Sequence, residues 1–184
     1  MENGASARIG QPAPYFDMHS TKNMATLEER VRLTDYRGQW LILFFYPADF
    51  SFVCPTETRG FAEHYEQIRS LKSDVLGVST DSVFSHRAWI ETPVQKGGVG
   101  EIPFPLASDI TKAVSQQYGI LDEEKGMALR GLFIVDPEGI LRYEVVHDMD
   151  IGRSVSETLR VLQALQTGGL CPVEWQPGQP TLPA

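Results

Sequence analysis

Cys54 is the residue in this sequence whose type and setting point most directly to chemistry. It follows an uninterrupted apolar and aromatic run, Trp40 to Tyr46, that stops at Pro47, and it stands just before Pro55 and Glu57. Proline suits the first helical position, where a missing N–H costs nothing, and a carboxylate in the first turn complements the helix dipole. The spacing predicts a helix opening at Pro55, with Cys54 at or beside its N-cap. A thiol placed there has its thiolate stabilised by unpaired backbone N–H groups, and the thiolate is the form that attacks electrophiles. An ordinary thiol, with a pKa of about 8.5, is only a few per cent ionised at neutral pH, so a nucleophilic cysteine needs positive potential close by. The competing reading of any such residue is a small buried hydrophobe.

The second cysteine, Cys171, lies 171 − 54 = 117 positions further on. Two cysteines so far apart do not make a secreted disulfide scaffold, and in a reducing compartment they are reactive, metal-binding or simply buried. There is no CxxC pair, and His19, His64, His86 and His147 lack ligand spacing. Neither a metal nor another cofactor is therefore expected, and the histidines read as surface or structural residues.

Positioning Cys54 requires a covered strand and a helix behind it. The Trp40 run has the length and apolarity of a strand buried on both faces. From Glu57 to Lys72 apolar residues recur at Phe61, Tyr65, Ile68 and Leu71, predicting one helix of about four turns. Val31, Leu33 and Tyr36 alternate as a short strand before Arg37-Gly38. Val75 to Ser79 reads as a further buried strand, and Val83 to Ile90 as a helix that Pro93 ends. Gly97-Gly98-Val99-Gly100 lacks the spacing of a nucleotide fingerprint and reads as flexible turn glycines. Phe104 to Ala107 predicts a short strand, followed by a helix over Thr111 to Tyr118 capped by Ser108 or Asp109 and closed by Gly119. Ala128 to Val135 and Ile140 to Val146, joined through Asp136 to Gly139, predict an antiparallel hairpin. Ser154 to Thr167 predicts a last amphipathic helix, and the proline-bearing tail beyond Cys171 an end that is extended and poorly ordered unless docked on a partner. These elements predict an α/β fold, a mixed sheet with helices on both faces. A reactive cysteine at the start of the helix after a central strand is the active-site position of the thioredoxin-like layout.

Composition narrows the classes. The 184 residues suggest one main domain, and the formal charge of 16 − 24 = −8, with no long basic block, makes nucleic acid an unsuitable partner. No apolar run approaches the roughly 20 residues of a membrane helix, and the first residues lack a signal-peptide core. A soluble, cytoplasmic protein is expected.

Pro47-(x)3-Ser51-(x)2-Cys54 resembles the active-site motif of the peroxiredoxins, where a proline, a threonine or serine and the peroxidatic cysteine stand at these spacings. FVCPTE, DSVFSHRAWI, the GGVG loop, LRGLFIVDPEG, GRSVSETLR and LCPVEWQPG resemble the typical two-cysteine branch, close to the bacterial alkyl hydroperoxide reductase C component. The resemblance implies a thioredoxin-like domain over residues 1–168 and a tail, 169–184, that carries the resolving cysteine. It implies Cys54 as peroxide-attacking thiolate and Arg130 as the cation that binds the sulfur and polarises the peroxide. Ser51 would orient the O–O bond and Pro47 would shield the pocket. Taken alone, Arg130 could equally be a surface ion-pair partner. Glu57 and Arg153 are either ion-pair partners that hold Arg130, or a helix-capping carboxylate and a solvated arginine. Ser51 replaces the commoner threonine, which keeps the hydroxyl and drops a methyl.

By the same resemblance, Cys171 of the partner subunit condenses with the Cys54 sulfenic acid, which requires a homodimer, assembled into a ring of dimers, and local unwinding after Cys54. Hydrogen peroxide and organic hydroperoxides are the implied substrates, with thioredoxin or a flavoprotein disulfide reductase as electron donor. The sequence lacks the Tyr-Phe extension of oxidation-sensitive relatives, so a robust enzyme is expected. Two alternatives stand beside this. A thioredoxin-type dithiol oxidoreductase is disfavoured by Ser51 at the place of a first CxxC cysteine, and an oligomeric chaperone or peroxide sensor would not need Cys54 if its role were structural.

Overall fold

The computed structural model describes residues 7–183; the first six residues of the polar lead-in lie outside them, as does residue 184. The chain forms two compact units, Met1–Arg153 and Ser154–Ala184. In the first, β1 (Asp17–Ser20), β2 (Arg30–Arg32), β3 (Trp40–Phe45), helices α1 (Cys54–Glu63) and α2 (Tyr65–Ser70), β4 (Ser73–Ser79), helix α3 (Val83–Glu91), β5 (Leu106–Ser108) and helix α4 (Ala113–Gln117) follow in order. A hairpin of two-residue strands, β6 (Leu121–Asp122) and β7 (Met127–Ala128), then precedes β8 (Arg130–Val135) and β9 (Leu141–His147).

Seven strands make one sheet in the order β2-β1-β5-β4-β3-β8-β9. β3 runs parallel to β4 and antiparallel to β8, which places the Trp40 run in the middle of a mixed sheet, as its apolarity predicts. Its side chains alternate between faces. Leu41, Leu43 and Phe45 join Phe16, Leu76, Val78 and Phe133 in one core cluster, against which Tyr118 at the end of α4 packs. Phe44 and Tyr46 point the other way, where Phe44 stacks on Phe61 of α1 at 4.8 Å and Tyr46 lies 5.5 Å from Trp89 of α3.

The predicted four-turn helix from Glu57 is two helices, because the chain bends at His64 (φ −101°, ψ 6°). There the His64 ring takes up the Gly60 carbonyl at 2.8 Å, so a side chain takes part in the ladder that a continuous helix would extend. The strand predicted around Val31 is also shorter than expected, giving way to a 3₁₀ turn over Leu33–Tyr36. Asp109 caps α4 by accepting from the Val114 and Ser115 amides at 3.1 and 2.7 Å. Asp136 shapes the β8–β9 turn by accepting from the amides of Glu138 and Ile140, while Gly139 takes φ +80°.

The glycine loop is anchored rather than loose. Trp89 Nε1 donates to the Gly97 carbonyl and Val99 N to the Trp89 carbonyl. A Cβ on Gly98 would collide with the Thr92 carbonyl, so the loop needs glycine there for close approach.

In the second unit, α5 (Val155–Thr167) begins at the Ser154 cap, whose Oγ accepts from Glu157 N at 3.1 Å, and ends at Gly168 with φ +65°. The tail departs from the extended end expected of it. Arg160 holds the Trp175 carbonyl at 2.9 Å, the Trp175 indole donates to Gln179, and Leu182 N returns to the Leu170 carbonyl. Local polar pairing therefore overrides the extending tendency of the prolines. Among the described residues no helix is long and apolar enough to cross a membrane.

Candidate active site

β3 ends against Pro47, which cannot donate to the sheet ladder, and the chain crosses a short loop into α1. Val53 is the N-cap, so Cys54 rather than Pro55 opens the helix. The Cys54 side chain has 0% exposure. It is nonetheless more than a small hydrophobe filling space, because Arg130 Nη1 lies 3.4 Å from its sulfur.

Arg130 is the first residue of β8 and is itself buried. Three contacts fix its guanidinium. Nε donates to the Met149 carbonyl at 2.6 Å, and Nη1 is shared between the Cys54 sulfur and Glu57 Oε2, the latter at 2.5 Å. Glu57 projects from the first turn of α1 and is 4% exposed, so it serves as the hub of the cluster and not as a solvated capping group. Arg153 grips the same carboxylate from its backbone N (2.8 Å), Nε (2.7 Å) and Nη2 (3.0 Å), and its Nη1 donates to the Gly131 carbonyl. The Arg153 guanidinium also lies 5.7 Å over the Phe44 ring.

Burial pushes the Glu57 carboxyl up, but the hydrogen bonds and charge of Arg153, helped by Arg130, outweigh it and hold the group below its ordinary 4.5. Two guanidiniums against one carboxylate leave a net charge of 2 − 1 = +1 in the cluster. That charge is in contact with the sulfur, in a setting where little water screens it.

Pro47 is buried and Ser51 half-buried in the loop before Cys54. Ser51 Oγ donates to the Ala48 carbonyl at 2.9 Å, which ties the loop to itself. The structure thus brings Cys54, Arg130, Glu57 and Arg153 into one hydrogen-bonded group. Cys171, in the second unit, is half-buried, with its sulfur 3.5 Å from Thr167 Oγ1 and 3.7 Å from the Ala164 carbonyl.

The family model described as the AhpC/TSA family matches residues 9–144. The chain belongs to the AhpC/TSA family. It is 55% identical over 174 residues to a peroxiredoxin in the rubredoxin operon of Clostridium pasteurianum, with 95% of this chain and 98% of that protein covered. The reduced 2-Cys peroxiredoxin of Plasmodium vivax matches with a TM-score of 0.89 at 36% identity, covering 94% of this chain and 91% of that one. Enterococcus faecalis AhpC matches with a TM-score of 0.82 at 38% identity, covering 90% and 99%. This AhpC/TSA protein is accordingly a peroxiredoxin, a thiol-dependent peroxidase, and its mixed sheet with flanking helices is the thioredoxin-like arrangement of those structures.

This peroxiredoxin has a second buried polar group close to the same loop that its sequence does not announce. Asp49 accepts from Tyr46 Oη at 2.9 Å and Ser85 Oγ at 2.7 Å, and it faces His86 Nδ1 at 2.9 Å. Asp49 sits in the spacer of the Pro47-to-Ser51 motif, and His86 is one of four scattered histidines that read as surface or structural residues. Their distance in sequence hides the pairing. The usable signal was an ionisable residue embedded in the apolar stretch between the strand and the cysteine.

Proposed function

We propose that the chain reduces hydrogen peroxide and organic hydroperoxides through a Cys54 sulfenic acid that Cys171 of the partner subunit resolves. The contact between Arg130 Nη1 and the Cys54 sulfur carries this reading. A fixed positive charge there stabilises the thiolate, and it can follow negative charge as it passes from sulfur to the departing oxygen.

The thiolate attacks one peroxide oxygen; the S–O bond forms, the O–O bond breaks, and the leaving oxygen takes a proton to depart as water or an alcohol. Ser51 has committed its own proton to the Ala48 carbonyl, so toward a peroxide its oxygen acts as acceptor for the O–H group. This orients the O–O bond in line with the sulfur, and Pro47 limits water at the site. Glu57 and Arg153 hold Arg130 in place. In the second step a Cys171 thiol condenses with the sulfenic acid, releasing water and forming a disulfide. A dithiol donor, thioredoxin or a flavoprotein disulfide reductase, returns both sulfurs to thiols. Residues 1–168 then act as the peroxidase domain and 169–184 as the segment that brings Cys171.

Two features support a homodimer built into a ring of dimers. β9, seven residues long, is an edge strand whose outer side is a template for strand addition. Phe50, Phe52 and Phe84 are 48%, 96% and 65% exposed, apolar surface suited to a second contact between copies. Free cysteines suit a reducing compartment such as the cytoplasm.

A non-reducing gel after brief peroxide treatment tests the scheme. The wild type gives a disulfide-linked dimer, and Cys54→Ser and Cys171→Ser each lose it. A monomer-sized internal disulfide, or a dimer surviving either substitution, overturns the intersubunit assignment.

A further inference from the structure

The loop that leads to Cys54 is held by polar groups that none of these steps uses. The Asp49 carboxylate, 1% exposed, receives the Tyr46 phenol on one oxygen and the Ser85 hydroxyl on the other, and the His86 ring, 0% exposed, faces the second oxygen. The Asp49 backbone N–H donates to Asp81 Oδ2 at 2.9 Å, and Asp81 also accepts from Ser79 Oγ at 2.6 Å. His86 Nε2 lies 3.2 Å from the Ala107 carbonyl, so the ring is held from both of its nitrogens. Burial first, and the charge of Asp49 second, keep the Tyr46 phenol well above its ordinary 10.0, so it stays a donor. The same two causes raise the Asp81 carboxyl.

Four bonds, from Tyr46 just after β3, from α3 and from the β4–α3 connection, thus converge on one loop residue. Phe50 follows at φ +55°, a left-handed backbone that a bulky residue holds only where its surroundings impose it. Ser51 comes next, with its hydroxyl turned onto the Ala48 carbonyl. We propose that Asp49 and His86 are positioning residues of the peroxidase, whose buried, hydrogen-bonded pair sets the turn from Pro47 to Ser51 and hence the place where a peroxide lies against Cys54. The inference rests on the reading of Cys54, Ser51 and Pro47 given above.

The test compares two electrophiles on the full chain in a Cys171→Ser background. Peroxide needs the loop to orient its O–O bond, whereas iodoacetamide needs only the thiolate. In Asp49→Asn and His86→Gln the rate of Cys54 with hydrogen peroxide falls about 10- to 100-fold, the scale of a slightly misplaced reactant, while the iodoacetamide rate changes by less than about threefold. Ser85→Ala leaves Asp49 and His86 in place and removes one donor; it lowers the peroxide rate severalfold with the iodoacetamide rate preserved, and it decides the matter if the other two do not fold. Peroxide rates within about twofold of the parent in every folded variant, or equal losses toward both reagents, overturn the proposal. Peroxide consumption by Cys54→Ser would instead undo the underlying reading of Cys54 and leaves a separate signature.

Discussion

Cys54 and Cys171 place the same thiol in opposite surroundings. The first is fully enclosed, with a guanidinium nitrogen 3.4 Å from sulfur and a carboxylate and second guanidinium behind it. The second is half-buried, beside a neutral hydroxyl and a carbonyl that its S–H can reach. One setting places a fixed positive charge against an enclosed sulfur; the other offers only neutral partners and leaves the sulfur partly exposed. This division is what the proposed scheme asks of an attacking and a resolving thiol.

The change that most damages this contrast is Glu57→Gln. It leaves two buried guanidiniums without their counter-charge, and breaking a buried ion pair from one side costs about 3–5 kcal/mol, to be read from urea unfolding. Acid adds a check on sign. Because the folded-state pKa of Glu57 is depressed, its contribution is fully present above the ordinary 4.5 and is lost as pH falls through the lower folded value. Wild-type stability therefore drops more steeply in acid than that of Glu57→Gln; equal acid slopes contradict the assignment.

Arg130→Met comes next, keeping bulk and removing charge. The peroxide rate at Cys54 falls about 100- to 1000-fold, the usual loss for one preorganised donor, while Cys171 alkylation in a Cys54→Ser background is unchanged. Stopped-flow kinetics measure the first and mass spectrometry the second. A parallel loss at both thiols would erase the contrast.

The smallest effect sharpens it. Thr58, one turn after Cys54, is the buried side chain that, among the described residues, has a polar atom with no hydrogen-bond partner. Thr58→Val removes that orphan hydroxyl at nearly constant shape, stabilising α1 by about 1 kcal/mol. Hydrogen exchange across α1 slows, and more Cys54 passes to sulfinic acid before Cys171 captures it. Faster exchange in the variant contradicts the account.

What could be read in the sequence was whatever local pattern and burial decide together. The Trp40 run became the central strand because no polar residue in it has to face water, and the cysteine at its far end followed. Glu57 and Arg153 remained ambiguous, since an arginine's partner is set by a chain crossing 96 residues away. The split at His64 escaped because hydrophobic spacing runs straight through it, and the β6–β7 hairpin because two-residue strands have no period to detect. The prolines of the tail point to an extended end, whereas Trp175 and Gln179 fold it back through local hydrogen bonds that no sequence period announces.

Trp89 gives the fold an optical consequence. Its ring is 5.5 Å from Tyr46 and 6.5 Å from Phe50, and its indole N–H donates to Gly97, so one chromophore touches both the loop that carries Ser51 and the glycine loop. Ultraviolet emission from this residue should therefore report rearrangement at either loop in real time, with no label attached.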